Sequence, residues 1–196
     1  MPKSKIQCEQ IKENTKQNII DKSILYFSKN GFSGTKIRDL SNYIGIAQGS
    51  IYNYFESKES LYNEIFQIIN SQDLKPMKQL VRLPISARKK VKILSEYLIT
   101  ELNENQKFAA VMTLSTQQIL ESDDNATSCA TYQSEVYELL SRVVHQGQKE
   151  KTIVEGDVIK LVDYYWGVVY LYALKKLFTK NFTMIYPDDL SRILLK

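Results

Sequence analysis

The amino-acid sequence predicts an all-α protein. Apolar residues recur every three or four positions through nearly all of the 196 residues, as they do on one face of a helix. Glycine and proline are scarce, with 7 and 4 residues, which argues against many short strands joined by tight turns. Gly31, Gly45, Pro76 and Pro84 fall between the periodic segments, where such residues end helices.

Composition narrows the class of protein. Hydrophobic residues make up 43% and charged residues 24% of the chain, as in ordinary globular proteins. No apolar run approaches the roughly 18 residues of a membrane-spanning helix, and the N-terminus lacks a signal-peptide pattern. We therefore expect a cytoplasmic protein with no membrane partner. Cys8 and Cys129 lie far apart, and His145 is the single histidine, so we expect no disulfide, no metal site and no cofactor.

The N-terminal third begins with two predicted helices. The first runs from about Glu9 to Asn30 and ends at Gly31. Thr35 is expected to cap the second helix, and Gly45 supplies the positive φ of the turn that follows it. The inward stripe of the second helix consists of Ile37, Leu40 and Ile44.

Two further helices complete this part of the chain. A third is predicted over about Ala47–Phe55, and Ser57 is expected to cap a fourth. The core positions of the fourth helix are Leu61, Ile65, Ile68 and Ile69.

A domain boundary is expected near residues 72–85, where two prolines interrupt the helical pattern. We therefore divide the chain into domains of residues 9–72 and 73–196. Longer helices are predicted in the second domain, over about 86–105, 106–121, 126–146, 157–180 and 187–196. Residues 122–125 and 147–156 are the predicted loops.

The outward face of the third helix is the most informative surface in the sequence. At 100° per residue, Ala47, Ile51 and Phe55 face the other helices, and the opposite side carries small and amide side chains. Gln and Asn can bond adenine in two places and Ser can bond either kind of base group, so this face suits the edges of bases. An ordinary solvated helix face is the alternative interpretation.

The run FSKNGFSGTKIRDLSNYIGIAQGSIYNYFESKESLYNEIF resembles the DNA-binding domain of the TetR family of transcriptional regulators. The resemblance covers roughly residues 12–70 and rests on many elements at fixed spacing. The matching residues are Gly31, Phe32, Thr35, Ile37, Leu40, Gly45, Gly49, Tyr52, Tyr54, Phe55, Ser57, Lys58, Glu59 and Leu61. It implies a helix-turn-helix whose third helix enters the major groove of DNA.

The resemblance also implies roles for individual residues. Phosphate contacts would fall on Thr35, Tyr52, Tyr54 and Lys58, and base contacts on Gln48, Gly49, Ser50 and Asn53. Lys36 and Arg38 add positive charge to the second helix, although an exposed face explains each of them equally well. Three positions depart from the family pattern. Ser or Thr is frequent at the position of Ala47, Lys at that of Gln48 and His at that of Asn53.

For the second domain, the resemblance implies binding of a small-molecule effector and formation of a homodimer. The helix over 157–180 is apolar on most sides and must be buried on most sides, either against a second subunit or as the central helix of a monomer. Aromatic and polar residues that could line an effector pocket are Tyr97, Phe108, Met112, Gln117, Tyr137, Tyr165, Trp166 and Tyr170, although each also suits a simple core. Candidate dimer residues are Val158, Val162, Val169, Tyr172, Leu190, Ile193 and Leu194.

Together these features predict a transcriptional regulator with an N-terminal three-helix DNA-binding domain and a C-terminal helical domain for ligand binding and dimerisation. We expect a repressor that a ligand releases from a palindromic operator in double-stranded DNA. An activator or a ligand-independent helical interaction module is the alternative. An enzyme is not expected, because His145 has no partner set of nucleophile and acid in the sequence pattern.

Overall fold

The computed structural model describes residues 5–70, 74–121 and 135–196. These residues form helices joined by short connections, and their only strand-like pairing is a bridge between Ile153 and Leu195. The prediction of an all-α fold is confirmed. The chain separates into two compact units, Met1–Gln72 and Asp73–Lys196. Within the described ranges, no helix has the length and apolar character needed to cross a bilayer.

The N-terminal unit consists of four helices: α1 (Lys5–Asn30), α2 (Ile37–Ile44), α3 (Gln48–Tyr52) and α4 (Lys58–Asn70). The first helix begins four residues earlier than predicted, and α3 is shorter than predicted. The residues after Tyr52 leave the helical path, although the Phe55 amide still bonds the Ile51 carbonyl at 3.0 Å.

The turns of this unit follow the expected chemistry. Gly31 and Gly45 both have positive φ, at 68° and 85°, and their amides bond the carbonyls of Phe27 and Ser41 at 2.8 and 2.9 Å. The Ser57 hydroxyl accepts a hydrogen bond from the Ser60 amide at 3.1 Å, so it caps α4 as predicted.

An apolar core joins the four helices. The predicted stripe of α2 is buried, and so are Leu61 and Ile65 of α4; Ile68, by contrast, is 37% exposed and is not part of the core. Most of the remaining core side chains belong to α1, and the others lie in α3, just after α3 and in α4. They are Ile19, Ile20, Ile24, Phe27, Ile51, Phe55 and Phe66.

The second unit contains helices α5 (Lys75–Arg82), α6 (Ala87–Glu104), α7 (Gln106–Glu121), α8 (Glu135–Lys149), α9 (Val158–Phe178) and α10 (Pro187–Ser191). Helix α5 lies where the sequence indicated only a boundary, because Pro76 is tolerated in the first turn of a helix. The last helix ends at Ser191 and not at Lys196. Instead, the Val154 amide bonds the Leu194 carbonyl at 2.9 Å, which draws the chain end out of the helix.

Some predictions fall outside the described residues. They are the loop over 122–125, the start of the helix predicted over 126–146, Cys129, and residues 72–73 of the expected boundary.

Helix α9 is the centre of the second unit. It packs against α6, α7 and α8, and the side chains of Val162, Tyr165 and Val169 are fully buried. A hydrogen bond of 2.9 Å joins the hydroxyls of Tyr165 and Ser95, so the buried phenol on the α6 side of α9 is satisfied. The burial that the sequence predicted for this helix therefore arises inside one chain.

Candidate nucleic-acid interface and ligand site

The α3 face presents polar groups to the outside of the molecule. Gln48, Gly49 and Asn53 are exposed, and Tyr52 is 48% exposed. Ser50 and Tyr54 are half-buried at the edges of this face. A Cβ atom added to Gly49 would have no neighbour within 4 Å. The packing of the protein therefore does not require glycine here, whereas a backbone that must approach another molecule closely does.

Two buried side chains and a cation hold α3 in place. Ile51 and Phe55 are 1% and 2% exposed and anchor the helix in the core. The Lys16 ammonium lies 5.6 Å from the centre of the Phe55 ring and is 2.6 Å from a carboxylate oxygen of Glu64 on α4. Ala47 occupies the N-cap position. It makes no side-chain cap bond, because its methyl group has no hydrogen-bond acceptor.

Lys58 has a different primary role from the one predicted. Its ammonium donates to the carbonyls of Phe32 and Thr35, at 2.9 and 3.1 Å, and lies 4.1 Å from the centre of the Phe32 ring. A lysine in the first turn of a helix opposes the helix dipole, and these contacts offset that effect inside the protein. Two of the three N–H groups are thus used to hold the turn between α1 and α2, and one remains for a phosphate.

The predicted role of Thr35 is wrong. Its side chain is 2% exposed and its hydroxyl donates to the Gly31 carbonyl at 2.7 Å, so it is not available to a phosphate. The N-cap of α2 is Lys36. Thr35 instead closes the turn after α1, because its hydroxyl satisfies a carbonyl that the helix end leaves without a partner. Lys36 and Arg38 are both exposed, as phosphate contacts would require.

Several residues that support this surface were not identified from the sequence. The Phe32 ring packs on Tyr62, with ring centres 4.7 Å apart, and fixes the turn against α4. The Lys22 ammonium donates to the Ile44 carbonyl at 2.8 Å and satisfies the C-terminal end of α2. Lys22 and Ile44 are 22 positions apart, so no local pattern identifies this pair.

The candidate ligand residues of the second unit do not all lie together. Tyr97 is 55% exposed on α6, with Phe108 at 6.4 Å between ring centres, so it does not line an interior site. Met112 and Gln117 lie half-buried on α7. Tyr137, Trp166 and Tyr170, in contrast, lie together around Asp163, a residue that the sequence did not single out.

The group around Asp163 combines polar atoms with aromatic surface. The Tyr137 hydroxyl donates to an Asp163 carboxylate oxygen at 3.3 Å. The rings of Trp166 and Tyr170 stack, with centres 6.2 Å apart and an angle of 28° between planes. Burial, together with the smaller effect of the negative charge of Asp163, raises the pKa of Tyr170 to about 12. The phenol is therefore a neutral hydrogen-bond donor at physiological pH.

The sequence pattern of the bacterial regulatory proteins of the tetR family matches residues 19–65, which span the last 12 residues of α1, all of α2 and α3, and the first part of α4. The N-terminal domain belongs to the TetR family. It is 32% identical over 59 residues to the HTH-type transcriptional regulator AcrR of Shigella flexneri, and 39% identical over 49 residues to IcaR, a negative transcriptional regulator of the biofilm operon icaADBC of Staphylococcus aureus strain Newman. These matches cover 30% and 25% of this chain and 27% and 26% of the two relatives. The matched region thus spans about a quarter of each curated relative.

Solved structures extend the likeness beyond this domain to the whole fold. The MbdR regulator of Azoarcus sp. CIB superposes with a TM-score of 0.73 at 17% identity, over 91% of this chain and 96% of that one. The regulator FadR of Bacillus subtilis, solved in complex with stearoyl-CoA, gives a TM-score of 0.64 at 18% identity, over 91% and 97%. At these identities the likeness concerns the fold alone.

Most of the residues predicted to form a dimer interface lie in the core of the protomer. Four of them have no surface left for a partner, because they are fully buried in the core of their own chain. These residues are Val162, Val169, Leu190 and Leu194. Val158, Tyr172 and Ile193 are half-buried against that core. The periodicity correctly predicted a buried helix, but burial in the protomer and burial in a dimer give the same pattern.

Proposed function

We propose that this TetR-family protein is a transcriptional regulator that binds a palindromic operator as a homodimer and that a small-molecule effector controls. The observation that supports DNA binding most directly is the α3 face, where Gln48, Tyr52 and Asn53 are exposed beside a glycine that the packing does not need. Repression is the expected direction, since the relative IcaR is a negative regulator.

Each group of the α3 face has a proposed part in binding. Gln48, Ser50 and Asn53 contact base edges, and the open space over Gly49 admits the DNA surface. Tyr52 and Tyr54 bond phosphates and fix the position of the protein on the duplex. The exposed side chains of Lys36 and Arg38 and the remaining N–H of Lys58 add salt-dependent phosphate contacts.

The proposed dimer surface is the outer face of α9. Tyr164 and Leu171 are 58% and 47% exposed, Phe178 is 54% exposed, and Gly167 lies exposed between them at helical spacing. This row of large apolar side chains is exposed among the residues that the structure describes, and a second copy would bury it. The small Gly167 allows two such helices to approach closely. Two recognition helices about one DNA turn apart, roughly 34–36 Å, then fit the half-sites of a palindrome.

The proposed effector site is the group around Asp163. Trp166 is 4% exposed, and its Nε1 atom has no hydrogen-bond partner among the residues that the structure describes. A buried donor without an acceptor is unfavourable by about 1–3 kcal/mol, and a ligand or a bound water would remove this penalty. An effector shifts operator binding only as far as it prefers one conformer of the protein over the other.

The test of DNA binding begins with selection of bound duplexes from a random library, followed by fluorescence anisotropy on the selected sequence. We expect a palindrome with half-site centres about 10–10.5 base pairs apart or a multiple of this spacing. Gly49→Ala adds a methyl group into open space and favours the helix, so the folded protein should be unchanged or more stable. Its operator affinity should nevertheless fall about tenfold or more, because the methyl group meets the DNA.

A matched pair of tyrosine variants controls this test. Tyr52→Phe should weaken operator binding several-fold because it removes a phosphate contact. Tyr43→Phe makes the same chemical change at a residue of equal exposure, 50% against 48%, on α2, and should leave the affinity unchanged. Equal behaviour of Gly49→Ala, Tyr52→Phe and the unaltered protein would contradict the proposed interface.

A further inference from the structure

We infer that the effector is a lipophilic cation, held by the Asp163 carboxylate and the stacked rings of Trp166 and Tyr170. This inference rests on the proposed effector site and assigns the chemical class of its ligand. The carboxylate comes from α9, and Tyr137 of α8 donates to it. Trp166 and Tyr170 follow Asp163 by three and seven positions and therefore lie on the same side of α9.

The first argument is the charge of Asp163. It is half-buried, and no Lys, Arg or His in the described residues forms an ion pair with it. Its one hydrogen-bond donor, the Tyr137 hydroxyl, is neutral. A half-buried carboxylate without a cationic partner favours a ligand that supplies the positive charge.

The second argument is the distribution of charge in the sequence around this site. From Phe108 to Ser141 the chain has five acidic residues and no Lys, Arg or His. This stretch includes all but the first two residues of α7 and the first half of α8, two of the three helices that pack against α9. From Leu161 to Leu174, Asp163 is the single charged residue of α9. These stretches of the sequence therefore supply no cationic side chain that would compete with a ligand for Asp163.

The third argument is the chemistry of the walls. The faces of indole and phenol rings carry negative electrostatic potential and bind organic cations. The two stacked rings provide such faces on the side of α9 that carries the carboxylate, and both rings belong to the hydrophobic core of the unit. The same rings would also accommodate the hydrocarbon part of a ligand, so the site suits a cation with substantial apolar surface.

Lys160, three positions before Asp163, is the nearest cationic side chain along α9, and it is exposed and forms no ion pair with Asp163 among the described residues. Lys175 lies over the Tyr172 ring at 4.5 Å, and Lys176 donates to the Asn103 carbonyl at 2.8 Å, both in the last turn of α9. Lys90, at the start of α6, is buried. Its ammonium donates to the Val81 carbonyl and to the side-chain oxygen of Gln146. An acyl-CoA, such as the stearoyl-CoA bound to FadR, would need several cationic partners for its phosphates, and the described part of α9 offers only the exposed Lys160 within one turn of Asp163.

Trp166 is the single tryptophan of the chain, so its fluorescence reports binding at this site alone. The probes are two pairs of matched size. Benzyltrimethylammonium is compared with neutral neopentylbenzene, and tetraphenylphosphonium with the anion tetraphenylborate. We expect the cation of at least one pair to bind about tenfold or more tightly than its match.

Variants then assign the preference to Asp163. Asp163→Asn should remove the preference for the cation and keep the affinity for neopentylbenzene, whereas Asp163→Glu should retain the preference. Glu138→Gln removes one negative charge from α8 at an exposed residue that pairs with Arg142, and it should change the affinity for the cation by less than about twofold. Circular dichroism melting of each variant establishes that it is folded.

The outcomes separate this inference from the proposed function. If the matched probes bind equally, or if Asp163→Asn keeps the full preference, the cation assignment is overturned while the domain remains a ligand-binding domain. If none of the four probes changes the fluorescence, both the cation assignment and the proposed effector site are overturned. Operator binding is measured separately with the α3 variants and is unaffected by either result.

Discussion

Helices α3 and α9 carry the two proposed binding activities, and they present their functional side chains in opposite ways. On α3, a helix of five residues, the functional groups point outward and two apolar anchors hold the helix. On α9, a helix of 21 residues, the proposed ligand contacts point inward among core side chains, and the outward row is apolar. An exposed polar face suits solvent as well as a ligand, so on α3 it is Gly49, which packing does not require, that favours binding; a buried aromatic residue likewise serves the core and a ligand equally well.

The largest expected effect tests the outer face of α9. Leu171→Glu would place two carboxylates against each other at a symmetric interface, where like charges without partners are strongly unfavourable. We expect the protein to become monomeric and its operator affinity to fall about 100-fold or more, because one subunit contacts only one half-site. Sedimentation velocity reports the subunit number, and anisotropy reports the affinity.

Ile93 provides the control for this prediction. It is 46% exposed on α6, against 47% for Leu171, so Ile93→Glu makes the same substitution at a residue of the same exposure. Ile93→Glu should remain dimeric. A dimeric Leu171→Glu protein, or a monomeric Ile93→Glu protein, would show that the subunits meet elsewhere.

A smaller effect is expected at Lys58, which is predicted to contact DNA but also bonds carbonyl groups of its own chain. The sequence identified Lys58 as a DNA contact, and the structure shows it bonding two carbonyls in the turn between α1 and α2. Lys58→Met leaves these carbonyls without their cationic donor. We expect a loss of about 2 kcal/mol in the free energy of unfolding of the N-terminal domain, from the usual strength of hydrogen bonds to charged groups.

Lys36→Met is the control for Lys58, since Lys36 is exposed on α2 and its loss removes charge alone. It should weaken operator binding and lower its salt dependence without changing stability. Amide hydrogen exchange in the turn over residues 31–35 distinguishes the two variants, and only Lys58→Met should speed it up. Unchanged exchange in Lys58→Met would mean that this lysine acts on DNA alone.

Features of the N-terminal unit that depend on neighbouring residues were predictable from the sequence, whereas contacts between distant residues were not. The turns at Gly31 and Gly45 and the cap at Ser57 were predictable, because each depends on a residue and its immediate neighbours. The exposed α3 face was predictable from helical geometry and from the resemblance to the TetR family. The contacts of Lys58 with the turn were not predictable, because its partners lie 23 and 26 positions earlier in the chain.

Fewer features of the second unit were predictable from the sequence. The burial of α9 was predictable from its apolar circumference, but the sequence could not tell which side faces the core of its own chain and which faces a partner. It therefore placed Val162 and Val169 at a dimer interface and omitted Leu171. Asp163 was missed because a single acid in an apolar helix gains its meaning only from Tyr137, Trp166 and Tyr170, which the fold brings around it.

The smallest expected effect concerns the start of α3. Ala47 occupies the N-cap of this helix and makes no side-chain bond to the free amides of its first turn. Ala47→Ser supplies the missing acceptor and should stabilise the N-terminal domain by about 0.5–1 kcal/mol, the usual contribution of such a cap. Thermal unfolding measures this gain.

Operator affinity should rise with this gain only if the α3 helix frays in the free protein, because a preformed helix has less conformational entropy to lose on binding. Ala47→Gly, which caps weakly and adds no side chain, serves as the matched variant. If Ala47→Ser and Ala47→Gly bind the operator equally while their stabilities differ, α3 is already fully ordered before it meets DNA. In that case its two apolar anchors, Ile51 and Phe55, hold the recognition surface without help from a cap.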